Sequence, residues 1–171
     1  LIENLVNEFS DFARMPKPIL KDNDLVLIIK DNINLLRELD QNIDIELYFN
    51  KKIIMLNSDN EQLSRVFLNL IKNSIESIQE KSLNTVDFKG KISLEINDNH
   101  NYIEFIITDN GVGFEDFKND IKNILNPYFT TKEKGTGLGL AIVNKIINDH
   151  NGLINFRSTI DGAKILIKFT R

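Results

Sequence analysis

This sequence of 171 residues has no cysteine, no tryptophan and only 2 histidines. Without cysteine there is no disulfide framework, no thiolate nucleophile and no zinc ribbon. Two histidines cannot build a multi-histidine metal cage. Basic charge is also short: 21 Lys+Arg against 25 Asp+Glu leave a formal net charge of −4. That balance argues against a nucleic-acid partner, because such binders present a basic face. No apolar run approaches the ~20 residues needed to cross a bilayer. No charged-then-apolar segment opens the chain as a secretory signal would. What is present is an ordinary globular composition, 42% hydrophobic and 27% charged. The length fits one domain with a short appendage. A chain of this size buries roughly 70% of its unfolded surface and needs neither disulfide nor metal to fold.

The chain opens at Leu1 rather than Met, in what reads as mid-helix. A piece cut from a longer protein is therefore expected. Ile2, Leu5, Phe9 and Phe12 recur at spacings of three and four, which is one apolar helix stripe. Met15-Pro16-Lys17-Pro18 ends it, since proline lacks an N–H and restrains the residue before it. The stripe either packs on something outside the chain or folds back on its own domain. Residues 22–39 read as a second amphipathic helix, capped by Asp22 or Asn23. Alternating apolar and polar residues predict a strand over 43–49, and a shorter one is expected over 52–56. A helix starting near Ser58 or Asp59 runs to about Gln79. Strands over 91–96 and 102–108 flank a polar turn. The stretch 109–137 is irregular, with a short helix expected over 116–125. A structureless segment above ~15 residues in a compact domain is usually a functional lid or disorder. A last helix opens within a glycine run and ends at Asn151-Gly152, with Gly152 expected in the left-handed position. Strands over 153–157 and 164–169 turn at Asp161-Gly162. The class is α+β. The expected architecture is a two-layer sandwich over 19–171, with helices on one face of a mixed, mostly antiparallel sheet.

Three constellations carry candidate chemistry. Asn69 and Asn73 stand four apart on the helix after Asp59, flanking its apolar face. Asparagine is a poor helix-interior residue, so the pair is either a solvated polar edge or a pair of oxygen ligands for a hard cation such as Mg²⁺. Lys72, about 100° around the helix from Asn73, could meet a phosphate as a point charge. The second constellation is Asp109-Asn110-Gly111-Val112-Gly113, directly after a strand. It is either an ordinary turn or a carboxylate placed to accept a hydrogen bond from an exocyclic amine, with glycines allowing close approach of a flat ligand. The third is Gly135-Thr136-Gly137-Leu138-Gly139-Leu140 at a helix start. Bare backbone N–H groups and the helix dipole form an anion site there. The run is neither a dinucleotide-binding G-x-G-x-x-G nor a P-loop. The absence of His-Arg-Asp and Asp-Phe-Gly excludes a protein-kinase fold of the Ser/Thr/Tyr type.

In this order the motifs resemble those of sensor histidine kinases. Asn69-Leu70-Ile71-Lys72-Asn73-Ser74 resembles their N box, Asp109 to Gly113 their first glycine box, and Pro127-Tyr128-Phe129-Thr130-Thr131-Lys132 their F box. Gly135 to Leu140 resembles their second glycine box, and Gly162-Ala163 sits where the last one falls. The resemblance is to the GHKL ATP-binding superfamily, with its Bergerat-type fold. The segment Glu8 to Pro16 resembles the end of the second dimerisation helix in nitrogen-regulation, NtrY-like kinases. Residues 1–18 would then be that helix end and a proline-containing linker, with the catalytic domain over 19–171.

The resemblance implies ATP and Mg²⁺ as cofactors, with Asn73 on the metal and Asn69 beside it or its waters. Related ATPases carry a glutamate base at the place of Asn69, so self-contained ATP hydrolysis is not expected. Lys72, Thr131 and Lys132 would lie at the nucleotide and Asp109 would bind the adenine amine, with Gly111 and Gly113 shaping that pocket. Gly135, Thr136, Gly137, Leu138 and Gly139 would offer backbone donors to the phosphates. Residues 114–134 would form a lid, which Phe129 either anchors or merely fills as a buried aromatic. The implied chemistry is phosphoryl transfer from ATP to a histidine. Neither His100 nor His150 is followed by the acid and Asn-Pro of a phosphoacceptor box, so both are expected to be structural or merely exposed. The acceptor would lie on a dimerisation domain outside this chain. The resemblance further implies a response-regulator partner, no nucleic acid, and a homodimeric parent anchored in the bacterial inner membrane with this domain in the cytoplasm. The alternatives from sequence are a GHKL-type ATPase or anti-sigma-like serine kinase, and a non-enzymatic nucleotide-sensing module.

Overall fold

The computed structural model describes residues 10, 13–37, 42–114, 123–130 and 135–171. In chain order the elements are β1 (Lys21–Asp24), α1 (Leu25–Arg37), β2 (Ile43–Phe49), β3 (Met55–Ser58), α2 (Asn60–Leu83), β4 (Gly90–Asn99) and β5 (Tyr102–Asp109). A short 3-10 turn (Asn123–Leu125), α3 (Gly139–Asp149), β6 (Gly152–Ser158) and β7 (Ala163–Thr170) follow. Five strands form one sheet in the order β2-β4-β5-β7-β6. β2 and β4 run parallel, and the other pairs are antiparallel.

The two-residue period of a strand decides which face is dry. Ile92, Leu94 and Ile96 of β4, Ile103, Phe105 and Ile107 of β5, and Ile165, Ile167 and Phe169 of β7 are all buried. Their registered neighbours on the same face include Leu94↔Ile107 and Ile107↔Ile165. The opposite face carries Glu95, Asn97, Glu104, Lys164 and Lys168, none of them buried. The apolar stripe of α2 covers the dry face, with Leu63, Val66, Phe67, Leu70, Ile71, Ile75 and Ile78 buried. Phe67 meets Phe105 edge-on, ring centroids 4.7 Å apart. Both α1 and α3 pack against α2. The result is a two-layer α+β sandwich with the helices on one face, as expected.

The structure moves several boundaries. Residues 21–24 form a strand, not the start of a helix, because Lys21–Asp24 pairs antiparallel with Met55–Ser58 in a separate two-stranded sheet. Helix α1 therefore begins at Leu25, and its cap is Asp24, not Asp22 or Asn23. The Asp24 carboxylate accepts the N–H of Val26 at 3.0 Å and that of Ile54 at 3.1 Å. The strand expected over 52–56 starts at Met55 and stays outside the main sheet. Helix α2 is capped by Asp59, which accepts the Gln62 N–H at 3.0 Å, and it reaches Leu83 rather than Gln79. After α3 it is Asn151, at φ 55°, that takes the left-handed position. Gly152 instead starts β6 in tight packing, where a Cβ would stand 2.9 Å from Ile147 Cγ2. Of the expected first helix only Ser10 and Ala13 are described, both helical, and the Arg14 N–H donates to the Ser10 carbonyl at 3.0 Å. The expected helix residues 116–122, the stretch 38–41 and residues 131–134 lie outside the described residues.

The segment after that helix is fastened to α2. The Ile19 N–H donates to Asp59 Oδ2 at 2.8 Å, and Gln62 Nε2 donates to the Pro16 carbonyl at 3.0 Å. His150 is buried and structural. Its Nε2 accepts the Asp59 N–H at 2.9 Å, which leaves Nδ1 to donate to the Ile146 carbonyl at 2.8 Å. His100 is exposed at the β4–β5 turn.

Candidate nucleotide-binding site

Asn69, Asn73, Glu76, Ser77 and Glu80 recur at three- and four-residue spacings along α2, so they share one stripe beside its apolar face. That stripe forms one wall of a cavity of about 370 Å³. Asp109, Val112, Gly113 and Phe114 form the second wall. Phe129, Thr130, Gly135, Thr136, Gly137 and Gly139 form the third, and Ile142, Phe156, Ala163 and Ile165 line its apolar part. The volume suits a drug-sized or nucleotide-sized ligand. A larger, more open groove of about 490 Å³ between α1 and β2 contains none of the motif residues.

Asp109 sits at the end of a dry row of the sheet, opposite Ile92 on one side and Ala163 on the other. It is 5% exposed. Its Oδ1 accepts the Gly111 N–H at 2.9 Å, and its Oδ2 accepts the Ser74 hydroxyl at 3.0 Å. Burial pushes its carboxyl above the ordinary range, while those two bonds, the Ala163 N–H and the Lys81 charge pull it back. A carboxylate offers about four acceptor positions. The Gly111, Ser74 and Ala163 donors therefore leave about one position for an amine in the cavity.

Three side chains hold the turn after Asp109: Asn110, Lys81 and Ser77, whose hydroxyl accepts the Val112 N–H at 3.0 Å. Asn110 bridges to the start of β4, accepting the Lys91 N–H and donating to the Lys89 carbonyl, both at 2.8 Å. Lys81, on the last turns of α2, donates to the carbonyls of Asn110 and Gly111 at 2.9 and 3.2 Å. Gly113 has φ 73°, and a Cβ there would lie 2.7 Å from the Gly162 carbonyl oxygen. Any larger residue would separate the two turns.

Across the cavity, Gly137 has φ 68°, and its carbonyl accepts the Tyr128 N–H at 3.0 Å. A Cβ on Gly137 would stand 2.5 Å from the Tyr128 carbonyl carbon, so glycine lets the two motif loops touch backbone to backbone. Leu138 precedes the first residue of α3, and no side chain caps that helix. The first N–H groups of a helix need acceptors, and here they open beside the cavity, where the dipole favours an anion. Asn69 faces this helix start: its Oδ1 lies 3.9 Å from where a Cβ on Gly139 would be.

Among the sequence-predicted residues, Asn69, Lys72, Asn73, Asp109, Gly113, Gly135, Thr136, Gly137 and Gly139 all line this one cavity. Gly111 does not; it packs behind the turn against the Ser77 backbone. Leu138 does not either: its side chain is fully buried in the core, and its N–H faces Thr136 Oγ1 at 3.4 Å. Lys72 is largely exposed, with Glu76 at 4.0 Å. Thr131 and Lys132 lie outside the described residues. Sequence reasoning missed Ser74, Glu76, Ser77, Glu80 and Lys81. The helical spacing from Asn73 would have found Glu76, Ser77 and Glu80, whereas Lys81 acts through backbone carbonyls and leaves no pattern.

Comparison with known proteins gives the family of the chain. Residues 58–170 match the family of histidine kinase-, DNA gyrase B-, and HSP90-like ATPases. The chain is 35% identical over 169 residues to a putative NtrY-like sensor histidine kinase of Rickettsia conorii, covering 98% of this chain and 27% of that protein. It is 34% identical over 172 residues to the nitrogen regulation protein NtrY of Azorhizobium caulinodans, covering 99% and 21%. It thus spans about a quarter of the length of these relatives. Among solved structures, the catalytic domain of histidine kinase ThkA superposes with a TM-score of 0.75 at 26% identity, over 88% of this chain and 95% of that one. The chain belongs to the histidine kinase-, DNA gyrase B-, and HSP90-like ATPase family.

Proposed function

We propose that this domain transfers the γ-phosphoryl group of Mg²⁺-ATP to a histidine on a dimerisation domain outside the chain. The observation that carries the reading is the pairing of a buried carboxylate, Asp109, at one end of the cavity with the uncapped start of α3 and the Asn69–Asn73 stripe at the other. A base amine donates to Asp109. The phosphates then run toward Gly135, Thr136, Gly137 and Gly139, where N–H groups neutralise their charge. Such transfer depends mainly on positioning and on stabilising charge at the phosphoryl oxygens. Lys72 and Lys132 are proposed as further cationic contacts, with Thr131 beside them, and Phe129 anchors the lid.

Mg²⁺ fits this donor set. Among the described residues there is no cluster of three or more His, Asp or Glu side chains that could cage a metal. Mg²⁺ does not require one, since it keeps waters and takes substrate phosphate oxygens plus one or two protein oxygens. The amide oxygen of Asn73 would hold it, with Asn69 beside its waters. The ion, when bound, would neutralise charge between the phosphates.

The proposed partners are the parent's own dimerisation domain and a cognate response regulator. The related ThkA has been solved in complex with a response regulator, TrrA. The proposed parent is a homodimer anchored in the inner membrane, with this domain cytoplasmic and with no nucleic-acid partner. Among the described residues no helix is long and apolar enough to cross a membrane.

The test supplies a separate dimerisation domain, bearing its histidine, together with labelled ATP. Acid-labile phosphate on that histidine is the expected result. Steady phosphate release by this chain alone, with no label on the histidine, would instead make it a self-contained ATPase.

A further inference from the structure

Lys81 lies two turns beyond Asn73 on α2 and does not touch the cavity. Its ammonium nevertheless reaches three backbone carbonyls: Asn110 at 2.9 Å, Gly111 at 3.2 Å and Asp161 at 2.5 Å. A lysine ammonium has three donors, so all three are committed. The aromatic ring of Phe88 lies 5.3 Å from the same nitrogen. Two of the carbonyls belong to the turn that begins at Asp109. The third belongs to the β6–β7 turn, whose Gly162 backs directly onto it: a Cβ on Gly162 would fall 2.8 Å from Asn110 Cα. One cation thus ties the helix that carries Ser74, Asn69 and Asn73 to both turns behind Asp109.

We propose that Lys81 is a positioning residue for recognition of the nucleotide base, clamping the Asp109–Gly113 turn to α2 so that the Asp109 carboxylate stays aimed into the cavity. The proposal rests on the reading of Asp109 as acceptor for the base amine. Its chemistry is simple. Three carbonyls converging on one point repel each other and need a compact cation between them. The groups acting on Asp109 are the Ser74 hydroxyl and Lys81 from α2, the Gly111 N–H from its own turn and the Ala163 N–H from β7. Glu76 and Glu80 line the same cavity. Among the described residues Lys81 is the one cation in that set. Burial raises that carboxyl, and a protonated Asp109 accepts the amine poorly. ATP affinity therefore falls as pH falls through its folded pKa. Removal of the Lys81 charge moves that midpoint to higher pH.

The experiment measures ATP and ADP affinity by calorimetry over a pH series running upward from the ordinary carboxylate range, for wild type, Lys81→Met, Lys81→Arg and Asp109→Asn. Lys81→Met should weaken ATP and ADP by the same factor, since the loss falls on the base end that both share, and should raise the pH midpoint. Lys81→Arg keeps the charge and should restore the midpoint. A Lys81→Met protein with the wild-type midpoint would overturn the proposal and leave Lys81 as packing only. Should Lys81→Met not fold, Lys81→Gln removes the charge while keeping donors, and its midpoint is read the same way. Asp109→Asn separates the two layers. If that variant loses affinity and pH dependence while Lys81→Met keeps the wild-type midpoint, the Lys81 inference alone fails. If Asp109→Asn binds ATP as wild type does, the base reading itself is wrong.

Discussion

Asp109 occupies a position that the pattern of its own strand reserves for an aliphatic side chain. Its neighbours on the dry face are Ile92 and Ala163, and burying a carboxylate there is costly unless it is bonded. Burial raises its folded pKa. An acid with a raised folded pKa loses stability as pH rises above its unfolded value, so the ionised group weakens the empty protein. Two measurements should therefore move apart in Asp109→Asn. ATP affinity should fall roughly 10–100-fold, the loss of a charge-assisted hydrogen bond of about 1.5–3 kcal/mol. The thermal midpoint without ATP should hold or rise. A fall in both would mark Asp109 as structural. Asn73 is tested through its ligand: Asn73→Ala should shift the Mg²⁺ dependence of ATP binding to higher metal concentration, and an unmoved Mg²⁺ titration would remove its metal role. Asp109 was legible as a candidate because two glycines follow it. Lys81 and Asn110 were not, because both bond main-chain groups that any sequence would offer.

The two helices that bound the cavity begin in opposite ways. The 24-residue α2 opens on Asp59, whose carboxylate takes the N–H of Gln62 and of Ile19. Helix α3 opens on Leu138 with no side-chain cap. The first start serves stability, and the second leaves donors for a ligand. Asp59→Ala should cost about 1–2 kcal/mol of unfolding free energy, read by denaturant titration, with ATP affinity in the folded fraction little changed. Burial raises the Asp59 carboxyl, but the backbone N–H groups of Ile19, Gln62 and Glu61 outweigh it and hold the group below its ordinary range. Its contribution is therefore complete above the unfolded carboxylate pKa and is lost as pH falls through the lower folded value. The Asp59→Ala deficit should shrink in strong acid. Gly137→Ala tests the other start. With φ 68° and no room beside Tyr128, alanine should part the two loops and weaken ATP binding more than it lowers the unfolding midpoint. The cap at Asp59 was readable from its place before an apolar stripe. The strand Lys21–Asp24 was not, since Lys-Asp-Asn-Asp has no strand pattern and pairs only because residues 55–58 lie beside it.

At the scale of the molecule, one antiparallel ladder and one parallel pair present a single dry face, and three helices cover it. The sandwich was foreseeable because alternation marks the strands and a 3.6 period marks the helices. The parallel pairing of β2 with β4 was not, because register across a connection of this length is set by packing and not by local pattern. The site follows from the same architecture. The dry row ends at Asp109, α2 runs past it, and α3 points its start at the space between them. The central claim is that this space reads a base through a buried acceptor. Guanine presents a carbonyl oxygen where adenine presents an amine, and an acceptor facing a carboxylate leaves both unpaired and repelling. The direct measurement is paired calorimetry of ATP and GTP on this chain in the presence of Mg²⁺. ATP should bind at least about ten-fold tighter than GTP, with the preference lost in Asp109→Asn. Equal affinity for the two nucleotides in the wild-type protein would contradict the account.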